Sequence, residues 1–197
     1  MRKKIELNLI YQAALENFSR YGLRKTTLDD IAADLGVTKS NLYRYTKNKE
    51  TLYHEAVAYA MRQWQERVKK ALVGVDSPKE QFLILCHKAF AYLAEDKIFC
   101  AILKNDPDIF PMFPVQDEYG EINRESVVLL ETILKNGIEQ GVFRPMETSH
   151  IAAVIFSIYK MFIIQTYIRT DDQFVEQVFI QTVDLLTQGI FLSNPPS

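Results

Sequence analysis

The chain has 197 residues, of which 48% are hydrophobic, and this is enough for one or two helical domains with a buried core. Its formal net charge of −2 excludes a chain that is basic throughout. The charges are unevenly distributed, because residues 1–50 hold 10 Lys or Arg against 6 Asp or Glu and residues 51–197 hold 13 against 19, an asymmetry typical of proteins whose N-terminal end binds a polyanion.

The first predicted element is a helix over residues 3–21. Its apolar residues recur at spacings of four and three and therefore share one face: Ile10, Ala14, Phe18 and Tyr21. Gly22 follows the last of them. We expect Gly22 to end the helix, because glycine adopts the left-handed conformation of a C-cap at little cost.

Two shorter helices are predicted next, with only two residues between them. The first of the pair begins after Thr27, whose hydroxyl can accept a backbone N–H bond while Asp30 completes a capping box, and it ends at Gly36. The second follows the N-cap Thr38 and is predicted over residues 39–45. Two short helices joined by a tight glycine-containing turn form a helix-turn-helix, whose second helix enters the major groove of DNA.

The rest of the chain is predicted to be helical around one irregular segment. Helices are expected over residues 49–72, 78–96, 98–105, 122–140, 148–169 and 172–192. Residues 106–121 contain three prolines and cannot form a continuous helix. The sequence therefore predicts an all-α protein with a three-helix domain over residues 1–48 and a larger helical domain over residues 49–197.

Residues 26–52 read TTLDDIAADLGVTKSNLYRYTKNKETL, and this segment resembles the DNA-binding region of the tetracycline-repressor (TetR) family of bacterial regulators. The positions that keep the family's spacing are Thr27, Ile31, Ala32, Gly36, Val37, Thr38, Leu42, Tyr43, Tyr45 and Lys49. Thr46 departs from the pattern, since many members carry Phe there. The resemblance implies a transcriptional regulator, most simply a ligand-responsive repressor that binds a palindromic operator in double-stranded DNA as a dimer.

The predicted DNA contacts fall into three groups. Three hydroxyls and one ammonium group suit phosphate contacts by their chemistry: Thr38, Tyr43, Tyr45 and Lys49. The resemblance implies that four residues read base edges: Lys39, Ser40, Asn41 and Arg44. It also places Thr26 and Thr27 against the DNA backbone at the edge of the site. The alternative is an ordinary helical hairpin in which these residues form a solvated face.

The last two predicted helices are apolar over broad surfaces. The longest apolar segment, residues 151–164, is interrupted only by Ser157 and Lys160, so its helix must be buried on several sides. The resemblance implies that these two helices pair with their copies to form a homodimer. A purely intramolecular core fits the apolar pattern almost as well.

The larger domain carries more aromatic residues than its core obviously needs. The resemblance implies an effector pocket among the middle helices, and the residues expected there are Phe90, Phe99, Phe110, Phe113, Phe156, Tyr159 and Phe162. Segment 106–119 is predicted to lie at the pocket mouth, since long irregular loops are often functional. Nearby acidic residues favour a small neutral or cationic hydrophobic effector over a polyanion: Asp106, Asp108, Asp117 and Glu118. Each ring is also compatible with a simple core position.

The sequence gives little support for an enzyme, a cofactor or a metal site. Its three histidines are scattered without ligand spacing: His54, His87 and His150. Cys86 and Cys100 are interpreted as core residues in a reducing compartment. The charged start of the chain leads directly into a helical pattern, so we expect no signal peptide, no membrane span and a cytoplasmic location.

Three functions remain open from the sequence. The first is the ligand-responsive repressor, and the second is a regulator of the same fold that answers to a protein partner or to nothing. The third is a helical module or enzyme whose helical hairpin is incidental. A duplex-binding assay separates the third from the others by sequence preference, and a thermal-shift ligand screen separates the first two.

Overall fold

The computed structural model describes residues 4–111, 117–165 and 173–190 of the chain. Within those residues the secondary structure is helical and contains no strand, which confirms the predicted all-α class. Parts of the predicted elements lie outside them: residues 3, 112–116, 166–169, 172 and 191–192.

Nine α-helices and one short 3-10 helix make up the described part of the chain. They are α1 (Leu7–Lys25), α2 (Leu28–Asp34), α3 (Lys39–Leu42), α4 (Lys49–Ala71), α5 (Pro78–Glu95), α6 (Lys97–Asn105), the 3-10 helix (Pro107–Ile109), α7 (Gly120–Glu139), α8 (Thr148–Ile163) and α9 (Gln173–Ile190). The predicted order of helices is confirmed, and Pro107 of the segment after α6 begins the 3-10 helix.

The first helix differs from its prediction at both ends. It begins at Leu7, after residues 4–6 that are not helical, and it continues to Lys25. Gly22 has a positive φ of 73°, but its ψ of 166° is extended and not that of the predicted left-handed cap, and it kinks the helix instead of ending it. One more turn follows, and the backbone N–H of Thr26 closes it on the carbonyl of Gly22 at 3.2 Å.

The recognition helix α3 is shorter than the predicted 39–45. After Leu42 the backbone bonds tighten from i→i−4 to i→i−3, as in the 2.9 Å bond from the N–H of Tyr45 to the carbonyl of Leu42. Residues 43–45 therefore form a turn that continues the direction of α3.

Two buried clusters form the core, and α4 belongs to the first of them. That cluster joins α1, α2 and α6 to α4 through residues such as Phe18, Ile31 and Leu52. The second cluster joins α5, α7, α8 and α9 around Phe82 and Phe179. Helix α4 therefore shares one core with the N-terminal helices α1, α2 and α3.

Candidate DNA-binding surface and internal cavity

The angle between α2 and α3 is set by capping groups and a glycine turn. Thr27 and Asp30 form the predicted capping box, with the N–H of Thr27 donating to Asp30 Oδ2 at 2.9 Å and the N–H of Asp30 donating to Thr27 Oγ1 at 3.2 Å. Gly36 has φ of 63°, a conformation that favours glycine, and Thr38 caps α3. Leu42, which is fully buried, fixes α3 to the core.

The outward surface of α3 and of the turn after it, the candidate recognition surface, is polar and accessible. Five predicted DNA-contacting residues are exposed there: Thr38, Lys39, Ser40, Tyr43 and Arg44. Lys39 Nζ lies 2.7 Å from Asp29 Oδ2 on α2, and this hydrogen bond raises the pKa of Lys39. The α3 surface can therefore offer hydroxyl, ammonium and guanidinium donors to a groove once Lys39 exchanges its carboxylate partner for a nucleic-acid acceptor.

Three other predicted contacts lie at the edge of this surface. Tyr45 is half-buried, and its hydroxyl accepts a 3.0 Å bond from the N–H of Ile5. Lys49 begins α4 and donates to the carbonyl of Arg24 at 3.3 Å. Asn41 is half-buried within α3. These contacts tie the ends of α1 and α4 to the recognition surface.

Thr26 requires a correction. It was expected to touch the DNA backbone, but its side chain is fully buried and its hydroxyl donates to the carbonyls of Gly22 at 2.9 Å and Asn17 at 3.2 Å. Thr26 therefore closes the kinked end of α1. Thr27 is exposed at the start of α2, where its hydroxyl also donates to Asp30 Oδ2 at 2.7 Å.

A cavity of about 80 Å³ lies among α4, α5, α7, α8 and α9. Its wall is largely apolar and includes Trp64 of α4. Trp64 Nε1 donates to the carbonyl of Ala89 at 2.8 Å, and its ring stacks on Tyr159 with the centroids 6.1 Å apart. The hydrogen bond and the ring contact therefore fix the orientation of the indole in the wall.

The predicted pocket aromatics divide into two layers. Phe110, Phe156 and Tyr159 line the cavity. Phe90, Phe99 and Phe162 are buried behind the wall, where Phe90 and Phe162 pack on Phe179, which lines the cavity, and Phe99 packs on Trp64. Those three rings support the wall and do not line it. Phe113 lies outside the described residues.

The α4 and α7 walls of the cavity were not predicted. Gln65 of α4 donates to the carbonyl of Ile122 at 2.6 Å and to Ser126 Oγ at 2.7 Å, and all three residues line the cavity. The signal available in the sequence was the single Trp64 beside Gln65 on a long amphipathic helix, a pattern equally typical of core packing.

The acidic residues near the proline-containing segment lie outside the cavity wall. Asp106 accepts a 2.7 Å bond from the Tyr53 hydroxyl, and burial together with this bond raises the pKa of Tyr53. Asp117 accepts from the N–H of Tyr119 at the start of α7. Glu118 pairs with His54 Nδ1 at 2.8 Å. The argument from these carboxylates for a neutral or cationic effector therefore loses its basis.

Three observations bear on membranes, metals and catalysis. None of the described helices is long and apolar enough to cross a membrane. The same part of the chain holds no group of three or more His, Cys, Asp or Glu residues that could bind a metal ion. Cys86 is buried in the cavity wall, and burial raises the pKa of its thiol to about 12, so it stays protonated near neutral pH.

A helix-turn-helix with an exposed polar recognition surface, joined to a helical domain with an internal cavity, defines a class of DNA-binding regulators. The sequence model of the family described as "Bacterial regulatory proteins, tetR family" matches residues 10–56. Residues 10–56 therefore match this family, and the predicted resemblance is confirmed. The chain is a transcriptional regulator whose N-terminal region matches that family.

Two relatives are named as transcriptional regulators, and a solved structure shares the fold. The chain is 24% identical to the HTH-type transcriptional regulator YhgD of Bacillus subtilis, over 77% of this chain and 78% of YhgD. It is 26% identical to the HTH-type transcriptional repressor KstR2 of Mycolicibacterium smegmatis, over 69% and 66% of the two chains. The structure of the regulator FadR from Bacillus subtilis in complex with stearoyl-CoA superimposes with a TM-score of 0.75 at 21% identity, covering 94% of this chain and all of FadR (100%).

Proposed function

We propose that the chain is a ligand-responsive repressor that binds a palindromic operator as a homodimer, with residues 1–48 contacting DNA and residues 49–197 binding the effector and the second subunit. One observation carries the proposal: α4 begins beside the recognition surface at Lys49 and forms a wall of the cavity at Trp64 and Gln65. A change in the position of α4 at the cavity therefore also changes its position beside the helix-turn-helix.

The DNA contacts assigned to the surface follow from the chemistry of its exposed groups. Arg44 and Lys39 suit guanine edges, and Asn41 suits adenine. Tyr43, with an exposed fraction of 51%, and Lys49 at the start of α4 suit phosphates. These assignments separate residues that set sequence preference from residues that set affinity.

The size of the cavity supports a conformational response. Pockets for drug-sized ligands measure roughly 300–1,000 Å³, whereas this cavity measures about 80 Å³. A ligand of that size enters only if the surrounding helices separate, so it binds the expanded state more tightly than the compact one. Such differential affinity is the requirement for shifting a two-state equilibrium, and α4 carries the shift to the recognition surface.

The last two helices supply a surface for a second subunit. Val154 on α8 is 52% exposed, and Ile180 and Leu185 on α9 are 48% and 69% exposed. Large apolar side chains on neighbouring helices are typical of protein interfaces. A dimer built there carries two recognition helices, which read half-sites about 34 Å apart on one face of DNA.

The relatives support both parts of the proposal by analogy. KstR2 is named a repressor, and FadR was solved with stearoyl-CoA. This chain is close to them in fold, and the ligand of FadR shows that a protein of this fold binds a small molecule with an acyl chain.

Selection of bound duplexes from a random pool tests the proposal directly. Enrichment of an inverted repeat, bound more weakly at higher salt in fluorescence anisotropy, is the expected result. Uniform weak binding to every duplex, with no enriched repeat, would contradict a role as an operator-binding repressor. Mass measurement of the complex then gives the number of chains for each operator.

A further inference from the structure

The described wall of the cavity contains two lysines and no carboxylate. Lys69 is neutralised, since its Nζ lies 2.9 Å from Glu66 Oε1 and 3.8 Å from Glu125 Oε2. Lys160 on α8 is different. Its Nζ donates to the carbonyl of Pro111 at 2.8 Å, and it forms no ion pair with a carboxylate of the described residues.

Among the described residues, Lys160 therefore brings a positive charge without a carboxylate partner to an apolar wall. It is half-buried between Tyr159 and Ile163, both of which line the cavity. An ammonium group has three N–H donors, and the carbonyl of Pro111 accepts from one of them. A charge beside apolar surface is costly unless it is paired, so an anion at this position recovers free energy that a neutral group does not.

We infer that the effector is an amphipathic monoanion, with a carboxylate at Lys160 Nζ and an apolar body against Trp64 and Phe156. This inference rests on the proposed function and names the ligand class of its cavity. The described wall has no carboxylate to balance a cationic ligand. Of its two lysines, a single one lacks a described carboxylate partner, which is too little positive charge to balance a polyanion. A long apolar body fits the remainder of the wall, which consists largely of aliphatic and aromatic side chains.

The position of Lys160 also connects the head group to α4. A carboxylate at Lys160 competes with the carbonyl of Pro111, which lies shortly after the 3-10 helix that Asp106 caps. Asp106 in turn accepts the hydroxyl of Tyr53 on α4. The apolar body and the charged head of one ligand therefore act on α4 by two routes, through Trp64 in the wall and through the 106–111 segment.

The test uses three probes with the same chain length and different head groups: decanoate, 1-decanol and decylamine. Binding to the full chain is followed by the fluorescence of Trp64, the single tryptophan, and by thermal shift. Decanoate is expected to bind roughly tenfold or more tightly than 1-decanol, the ratio typical of one charge-assisted hydrogen bond. Lys160→Met is expected to remove this preference while leaving the affinity for 1-decanol unchanged.

Two further variants separate charge from structure. Lys69→Met removes the other lysine of the wall and is expected to keep the preference for decanoate. Lys160→Arg retains the charge and is expected to restore the preference that Lys160→Met loses.

Two results overturn the inference, and they have different meanings. If 1-decanol or decylamine binds the unaltered chain as tightly as decanoate, or if Lys160→Met keeps the preference, the cavity binds a ligand but not through an anion at Lys160. If none of the three probes changes Trp64 fluorescence or the melting temperature, the effector-binding role itself fails, and this inference fails with it.

Discussion

The hydroxyl of Tyr53 donates a 2.7 Å hydrogen bond to Oδ2 of Asp106, joining α4 to the segment that follows α6. The Tyr53 ring also packs edge-on against Phe18 of α1, with the centroids 5.0 Å apart. One side chain thus links the first helix, the connecting helix α4 and the segment that leads to the cavity. This arrangement fixes the N-terminal half of α4 from two sides.

Tyr53→Phe is expected to lower the free energy of unfolding. The substitution keeps the ring against Phe18 but removes the donor to Asp106, and a hydrogen bond to a charged group contributes about 1.5–3 kcal/mol. Urea denaturation followed by circular dichroism measures the change. Tyr21→Phe, on an exposed ring of α1, is the control and is expected to have no effect. Equal stabilities of Tyr53→Phe and the unaltered chain would show that the bond contributes nothing.

Lys49→Ala is expected to weaken binding to all duplexes and to reduce the slope of log affinity against log salt by about 1, because one phosphate contact is lost. Tyr43→Phe is expected to lower affinity without changing that slope, since its hydroxyl carries no charge. The double variant Tyr43→Phe with Lys49→Ala is expected to show the same reduced salt slope as Lys49→Ala alone. Anisotropy at several salt concentrations measures both effects. Lys135→Ala, on α7, is the control and is expected to leave the slope unchanged. If Lys49→Ala also leaves the slope unchanged, Lys49 does not contact a phosphate.

Arg44→Ala is expected to relax preference at one base pair of each half-site, at a cost of about 1–3 kcal/mol on the preferred sequence. The reason is that Arg44 is exposed beside α3, where a guanidinium can donate to a guanine edge. Repeating the duplex selection with the variant measures the change. An unchanged consensus with uniformly lower affinity would assign Arg44 to the DNA backbone.

The local structure of the DNA-binding region could be predicted from its sequence because its signals are local. Thr27, Gly36 and Thr38 act through their own hydroxyls and backbone angles, and the structure places each in the predicted cap or turn. Thr26 was assigned by resemblance, and its burial depends on the kink at Gly22, which continues α1 for another turn. Sequence spacing gave no sign of that extra turn.

The cavity could be predicted only in outline, because its wall depends on contacts between distant helices. Phe110, Phe156 and Tyr159 line it, but Phe90 and Phe99 have similar sequence surroundings and lie behind it. Helical periodicity identifies a buried face without indicating whether the neighbour is a side chain or a cavity. Lys160 did interrupt an apolar run in the sequence, and its significance emerges only from the surrounding wall.

The capping box of α2 gives a prediction about pH. The side-chain and backbone hydrogen bonds of Thr27 lower the pKa of Asp30 below its ordinary value of 3.8. A carboxyl whose pKa is lower in the folded than in the unfolded state stabilises the fold at every pH above its unfolded-state pKa. This contribution is lost as the pH falls through its folded-state pKa. Asp30→Asn is therefore expected to reduce stability at neutral pH, and the difference from the unaltered chain should shrink as the pH falls below 3.8. Unfolding curves between neutral and acidic pH measure it, and a constant difference at every pH would contradict a role for the charged form.

Leu185→Glu is expected to convert the proposed dimer to a monomer. Leu185 is 69% exposed on α9, and a carboxylate there places two like charges in the interface if the last two helices pair with their copies. Size-exclusion chromatography with light scattering measures the mass, and affinity for the selected inverted repeat is expected to fall in parallel because one subunit reads one half-site. Val73→Glu, at a 79% exposed position beyond the end of α4, is the matched control and should remain dimeric. If Leu185→Glu keeps the mass and operator affinity of the control, the dimer forms through another surface, and the exposed apolar residues of α8 and α9 have a different partner.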